Sequence, residues 1–393
     1  QMDLALFGYA VPAIRAEFEL SLSEVMAVVS TAFLMGGGLL VVLGWLTDRL
    51  GRLPLFQFSL LGSSVLVALI SFAPGVMTLT ALRGASIAVG GLSYPITGAI
   101  ITEETPARLR GFMMGLLQIG YPLGWALASL WSMWLLTEYG WRQLFWVGLV
   151  SLPMVWVVRR YLREPPRAIA ARSNEAPASL SELWAKGTRE RALTLFCAQF
   201  LFVWAYAASI FLFPSFLREV RELDAFDFSL LIGAGNAIGV AGYVLAAWIG
   251  ERVWTRRNTV VLWTLLGSLL FQVLVWLPES FTQILIVYAV MSMFFYGSAA
   301  VKFAYLAEVF PTRIRALAMT CCGSLAVTLG SAAGPYSVSL AIEAWGWHIG
   351  YAALVGVPLA LAALLYLTLD AVPSGLEVEE IEHRVGKGAM LHG

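Results

Sequence analysis

Three ionisable residues stand inside long apolar runs of this chain: Asp3, Arg83 and Lys302. Each such charge costs on the order of 2.5–3.5 kcal/mol at the centre of a bilayer, so each needs a partner or a wet cavity. Their types divide the available chemistry. A carboxyl can load and release a proton, whereas a guanidinium or an ammonium attracts an anion. Lys302 lies six residues before Glu308, ~9 Å along a helix, which is deeper than snorkelling comfortably explains. A plainer reading exists for each: Asp3 as a cap at a frayed helix end, Arg83 as a structural group bonded to carbonyls of a neighbouring helix, Lys302 reaching for headgroups. Tyr9, Tyr94, Gln118, Tyr121, Gln199, Trp204, Tyr206, Asn236, Tyr296 and Tyr305 also lie within apolar runs. Aromatic walls carrying a few polar groups suit a small organic ligand.

The elements that position these residues follow from composition. The chain is 393 residues long, 59% hydrophobic and 13% charged, against roughly 25% charged in soluble domains. Its solvent is therefore lipid, and the expected class is an all-α membrane protein. Apolar stretches of spanning length number twelve: 1–15, 24–47, 53–73, 77–102, 109–137 and 141–161, then 193–217, 228–252, 257–277, 280–307, 314–341 and 347–370. The polar, Pro/Ala/Ser-rich stretch between the two sets predicts a first half over 1–161 and a linker over 162–192. The second half is then 193–370 and the tail 371–393. Gln1 stands where a start methionine is expected, so some native N-terminus is expected to be missing. The net charge is zero, which gives no pull toward nucleic acid. Cys197, Cys321, Cys322 and the three histidines show no metal-ligand spacing. No nucleophile–base pair points to an enzyme. Gly36, Gly37 and Gly38 lack the strand and the Lys-Ser/Thr of a phosphate loop, and are expected to be a packing or bending face.

Of the 25 Lys and Arg residues, nineteen fall on the connections and tail of one face, four on the other face, and two inside spans. The positive-inside rule then places both termini and the linker in the cytoplasm. The halves also repeat. Glu103, Pro106, Arg108 and Arg110 return as Glu308, Pro311, Arg313 and Arg315; Gly140-Trp141 returns as Gly346-Trp347; Pro12 and Glu17 align with Pro214 and Glu219. Paired six-span halves with a midplane site between them are the usual build of secondary transporters.

The charged turn GWLTDRLGR, residues 44–52, resembles the signature of the major facilitator superfamily at Gly44, Leu46, Asp48, Arg49, Gly51 and Arg52. Its second-half copy, IGERVWTRR, is degraded. The Glu-x-x-Pro-x-x-x-Arg elements and the Gly140–Arg142 triplet resemble the metabolite:proton symporter branch, which carries aromatic acids, sialic acid and monocarboxylates. The resemblance implies two pseudo-symmetric six-helix bundles. It implies a cytoplasmic latch of Asp48, Arg49 and Arg52 with Glu103, Arg108 and Arg110, and with Glu308, Arg313 and Arg315 in the second half. Ordinary interfacial charge remains the alternative for the individual arginines. It further implies proton coupling at Asp3 and alternating access for a small organic anion, a carboxylate. Arg83 tunes an acid or attracts that anion; Lys302 binds it or neutralises Asp3. The expected partners are that anion, protons and the bilayer, for a monomer in the inner or plasma membrane without metal or cofactor. Proton-driven efflux of amphipathic drugs or cations, and a transporter-shaped sensor, are the competing functions.

Overall fold

The computed structural model describes residues 2–50, 52–161, 180–185, 188–310, 314 and 317–371. Among these, ten stretches are long and apolar enough to cross a membrane. One of them, Met319–Leu367, contains two helices parted at Gly346. Splitting it there gives eleven, and the sixteen-residue helix Met2–Glu17 lies where the first expected span was placed. No strand occurs among the described residues.

Spans two, three, seven, eight and nine are single helices: Leu22–Leu50, Arg52–Leu69, Arg189–Glu219, Ala225–Arg252 and Arg256–Trp276. Span two runs farther than expected. The segment Trp45 to Leu50 holds nothing that breaks a helix; Gly51 of the expected charged turn lies outside the described residues. Span four is interrupted at Leu92, between Val76–Gly91 and Ser93–Glu104. Span ten is interrupted between Phe281–Phe295 and Ala299–Glu308. There the backbone tightens to three-residue bonds, Ala299 N to Tyr296 O at 3.0 Å and Ala300 N to Gly297 O at 3.1 Å. An offset of 205 carries Ser93 onto Ser298, so the interruption is duplicated along with the sequence. Interrupted helices at membrane depth are tolerated where protein or a cavity surrounds them.

The repeated residues meet one another. Trp141 Nε1 donates to Glu17 Oε2 at 2.7 Å, and Trp347 Nε1 donates to Glu219 Oε2 at 3.2 Å. The glycine before each tryptophan is left-handed, with φ of 83° at Gly140 and 80° at Gly346. Only glycine takes that torsion without strain, which explains why Gly-Trp is the repeated unit. The corner after each glutamate repeats too, with Glu19 and Glu222 at positive φ.

Lipid supplies little hydrophobic drive between helices, so association rests on close packing. Span two packs on span four and on span eleven, span five on span eight, and span one on span seven. A Cβ at Gly36 would lie 2.6 Å from Ile87 of span four, and one at Gly37 would strike Thr328 of span eleven. The glycine run is thus a two-sided packing face, whereas Gly38 faces open space. A Cβ at Gly242 would strike the backbone of Met293, which cannot yield.

Gly242→Ala is therefore expected to lower stability by about 1–3 kcal/mol through overpacking, read as a fall in melting temperature of the purified protein. Gly38→Ala is expected to be neutral or slightly stabilising. Glu17 supplies a pH test. The Arg142 hydrogen bond, aided by Trp141, holds its carboxyl below the ordinary carboxylate range. A depressed carboxyl stabilises the fold above its unfolded value and loses that contribution as pH falls through the depressed one. The pair is exposed, so its worth is ~0.2–1 kcal/mol. The melting difference between the native protein and Glu17→Gln should be present at neutral pH and fade as acid carries the solution below the ordinary carboxylate range.

Candidate functional site

Arg83 is buried inside the first half, 2% exposed. Its Nη1 donates to the backbone carbonyl of Asp3 at 3.2 Å, and its guanidinium lies over the Phe7 ring, 4.8 Å from the centroid. Its Nη2 has no hydrogen-bond partner among the described residues. Asp3, partly buried on span one, interacts electrostatically with Arg83. Its Oδ2 sits 4.0 Å from where a Cβ of Gly90 would be. The acid therefore rests against span four between Arg83 and Gly90, seven residues apart on that helix. Its Oδ1 accepts from Leu4 N at 2.7 Å.

Lys302 sits one turn beyond the interruption of span ten and is 2% exposed. Its Nζ lies over the ring of Phe202 on span seven, with no hydrogen-bond partner among the described residues. Phe202 stacks on Tyr206, ring centroids 6.2 Å apart. Tyr206 in turn meets Tyr296 at 5.1 Å and Tyr121 of the first half at 6.4 Å. Tyr296 lies within 3.3 Å of Ser209 Oγ and 6.5 Å from the Tyr288 ring. Asn236 Nδ2 donates to Tyr288 Oη at 2.8 Å and to Ile232 O. Across the seam, Tyr9 donates to Trp125 O at 3.2 Å and packs on that indole. Rings also bridge the halves at Phe33–Phe211 and Trp125–Phe211, 5.9 and 6.5 Å apart.

Of the expected lining, Tyr121, Tyr206, Asn236 and Tyr296 thus share one cluster with the Lys302 amine one ring away, and Tyr9 belongs to a neighbouring set with Trp125, Phe211 and Phe33. Others lie apart. Tyr305 donates to the backbone carbonyl of Asp370 at 2.8 Å, at the basic end of the second half. Trp204 packs on Phe200, at 5.7 Å, and its backbone abuts Gly330 and Gly334. Gln199 and Gln118 are buried on spans seven and five. Asp3 and Lys302 stand on different elements, and the described contacts of Asp3 are with its own half.

The side chains of Tyr94, Asp48, Arg49, Arg52, Glu103, Arg108, Arg110 and Glu308 lie outside the described residues, as do Arg313 and Arg315 altogether. In the degraded second-half turn, Glu251 pairs with Arg256 at 2.6 Å. Nearby, Arg191 holds Asp370 at 2.9 Å and Arg257 donates to Leu369 O at 2.9 Å, tying spans seven and nine to the end of span twelve.

Sequence reasoning missed Tyr288, Ser209, Trp125 and Phe202. Tyr288, Ser292 and Tyr296 recur every four residues in span ten, so one face carries all three. That spacing was available; the ring of Phe202 carried no polar signal.

Arg83→Gln should lower stability by about 3–5 kcal/mol, because it strips a partner from a buried charged assembly. Adding Asp3→Asn should recover part of that loss, and a double-mutant cycle on thermal unfolding reads the coupling.

The chain matches the Major Facilitator Superfamily over residues 1–258 and 241–390. It is 27% identical to a probable 4-methylmuconolactone transporter of Cupriavidus pinatubonensis, covering 96% of this chain and 89% of that one. A cis,cis-muconate transport protein of Acinetobacter baylyi is 26% identical, covering 89% and 86%. A citrate-proton symporter of Salmonella typhi is 27% identical, covering 94% and 92%. Such carriers agree with the symporter branch that the sequence resembles. Among solved structures, a bacterial homologue of the human lysosomal transporter Spinster superposes with a TM-score of 0.64, at 15% identity, over 98% of this chain and 94% of that one. That likeness supports the fold. An all-helical integral membrane protein with ten stretches of spanning length among its described residues, this chain belongs to the major facilitator superfamily, a family of transporters and not of enzymes.

Proposed function

We propose that this protein is a proton-coupled carrier that brings a small organic anion, a carboxylate, into the cell by alternating access. The observation that carries this reading is the Lys302 amine, buried with no hydrogen-bond partner among the described residues and set beside an aromatic cluster that spans both halves. A charge left so costs several kcal/mol until an anion joins it. The aromatic faces next to it suit a flat, conjugated acid. The names of the relatives, with their muconate, methylmuconolactone and citrate, support the same class.

In this proposal Asp3 carries the proton, with Arg83 fixing its place in the first half. Lys302 supplies the positive end of the substrate site. Tyr9, Tyr121, Tyr206, Asn236 and Tyr296 form its walls, and the remaining expected lining residues complete them in other states of the cycle. The basic face is cytoplasmic, as are both termini, and the Asp48 turn latches it. Residues 1–161 and 193–370 rock as two bodies, joined by 162–192 and followed by the tail 371–393. The protein works as a monomer in the plasma membrane.

Proteoliposomes under an inward proton gradient test the reading. Labelled muconate or an aromatic monocarboxylate should accumulate. Asp3→Asn should abolish accumulation against a gradient while leaving exchange of anion measurable. Lys302→Gln should raise KM at least ~10-fold, the size expected when a charge-assisted bond is lost. Unchanged KM and coupling in Lys302→Gln would remove that residue from the mechanism. Proton-driven export of a cation would favour efflux instead.

A further inference from the structure

The two glutamates that receive the repeated tryptophans differ in their third partner. Glu17 takes Arg142 from its own half, at 2.5 Å. The residue matching Arg142 in the second half is His348, which packs on Trp276 at 5.3 Å and makes no hydrogen bond to Glu219. The free side of Glu219 is filled from the other half instead, by Arg15 Nη1. Arg15 is held for this contact by its own corner, where its Nε donates to Leu20 O at 3.1 Å. At the offset that aligns Glu17 with Glu219, Arg15 matches Leu217, so this cation has no duplicate. A second link joins the halves on the same face, from Ser23 N to Glu343 Oε1 at 2.8 Å.

We infer that Arg15 and Glu219 form a clasp between the two halves, at the face opposite the basic one. They are positioning residues that bias the transport cycle toward the state closed on that face. The reasoning is geometric. Span one ends at Arg15–Glu17 and span seven at Arg218–Glu219, and these ends must part if the halves rock open there. Between the clasp and the middle of the seam lie the ring contacts of Phe211 with Phe33 and Trp125, which open only after it. Trp347 keeps Glu219 in place when Arg15 leaves, so the clasp can break and re-form without refolding either end. Both side chains are partly exposed, 28% for Arg15 and 36% for Glu219. Such a pair is weak and reversible, as a contact broken in every cycle must be. The Glu17–Arg142 pair, of similar exposure but confined to one half, is a built-in control.

The test needs no substrate. In the full chain with Cys197, Cys321 and Cys322 replaced by alanine, Phe211→Cys reports opening of the seam. Its reaction with a membrane-impermeant maleimide is timed in proteoliposomes. Arg15→Gln and Glu219→Gln should each speed labelling about two- to fivefold, the range an exposed ion pair can bias. The exchange Arg15→Glu with Glu219→Arg should return the rate toward the parent, and Glu17→Gln should leave it unchanged. Equal labelling in all variants overturns the clasp. So does a swap that labels as fast as the single variants, or a Glu17→Gln effect as large as theirs. Because the readout is conformational, it stands or falls separately from the choice of anion and from proton coupling.

Discussion

A bilayer interior offers a polar group nothing to bond to, and the chain is arranged around that fact. The backbone answers with helices. Several buried hydroxyls answer by bonding back to carbonyls one turn earlier, as Ser86 does to Arg83 O and Ser298 to Phe295 O, both at 2.8 Å. Buried charges cannot do this so cheaply, and their treatment separates the two halves. In the first, Arg83 finds a carbonyl, an aromatic face and the field of Asp3. In the second, Lys302 meets the ring of Phe202 and has no hydrogen-bond partner among the described residues. One half therefore holds a charge assembly with partners, and the other an amine set against an aromatic face.

Duplication supplied the scaffold, and departures from it supplied the differences. The Gly-Trp corners, the Glu at each span end and the interruptions in spans four and ten come in pairs. Lys302 matches Thr97, whose hydroxyl bonds back to Ser93 O at 2.9 Å. His348 matches Arg142, and Leu217 matches Arg15. Each of these mismatches changes a charge at a place where the backbone is the same. A symmetric frame with unsymmetrical charges is what a carrier with unlike tasks in its halves requires.

Much of this was legible in the amino acids. Apolar runs of bilayer length gave the spans, because hydrophobic length is read directly against membrane thickness. The repeat was legible because Gly140 and Gly346 need a torsion that few other residues accept. The candidate site was legible by type but not by arrangement. Asp3, Arg83 and Lys302 stood out because a charge in an apolar run is rare, but nothing in spacing said that Asp3 would meet Arg83. Tyr305 and Trp204 carried the same signal as Tyr206 and Tyr296, yet they face other neighbours. A polar side chain on a helix announces its cost, whereas its direction is set by packing that forms late and far away in sequence. The pairing of Arg15 with Glu219 is the plainest case, since the two lie 204 residues apart.

The contact between spans eight and ten has a mechanical consequence. Gly297 and Gly242 bring the two backbones together so closely that a Cβ at Gly297 would lie 2.9 Å from the carbonyl carbon of Gly242. With no side chains between them as bearings, neither helix can roll about its own axis without ramming the other. Any displacement of the Lys302 segment must therefore drag span eight along, and with it the Asn236 amide. The smallest gear in this half is a pair of helices, meshed at their glycines.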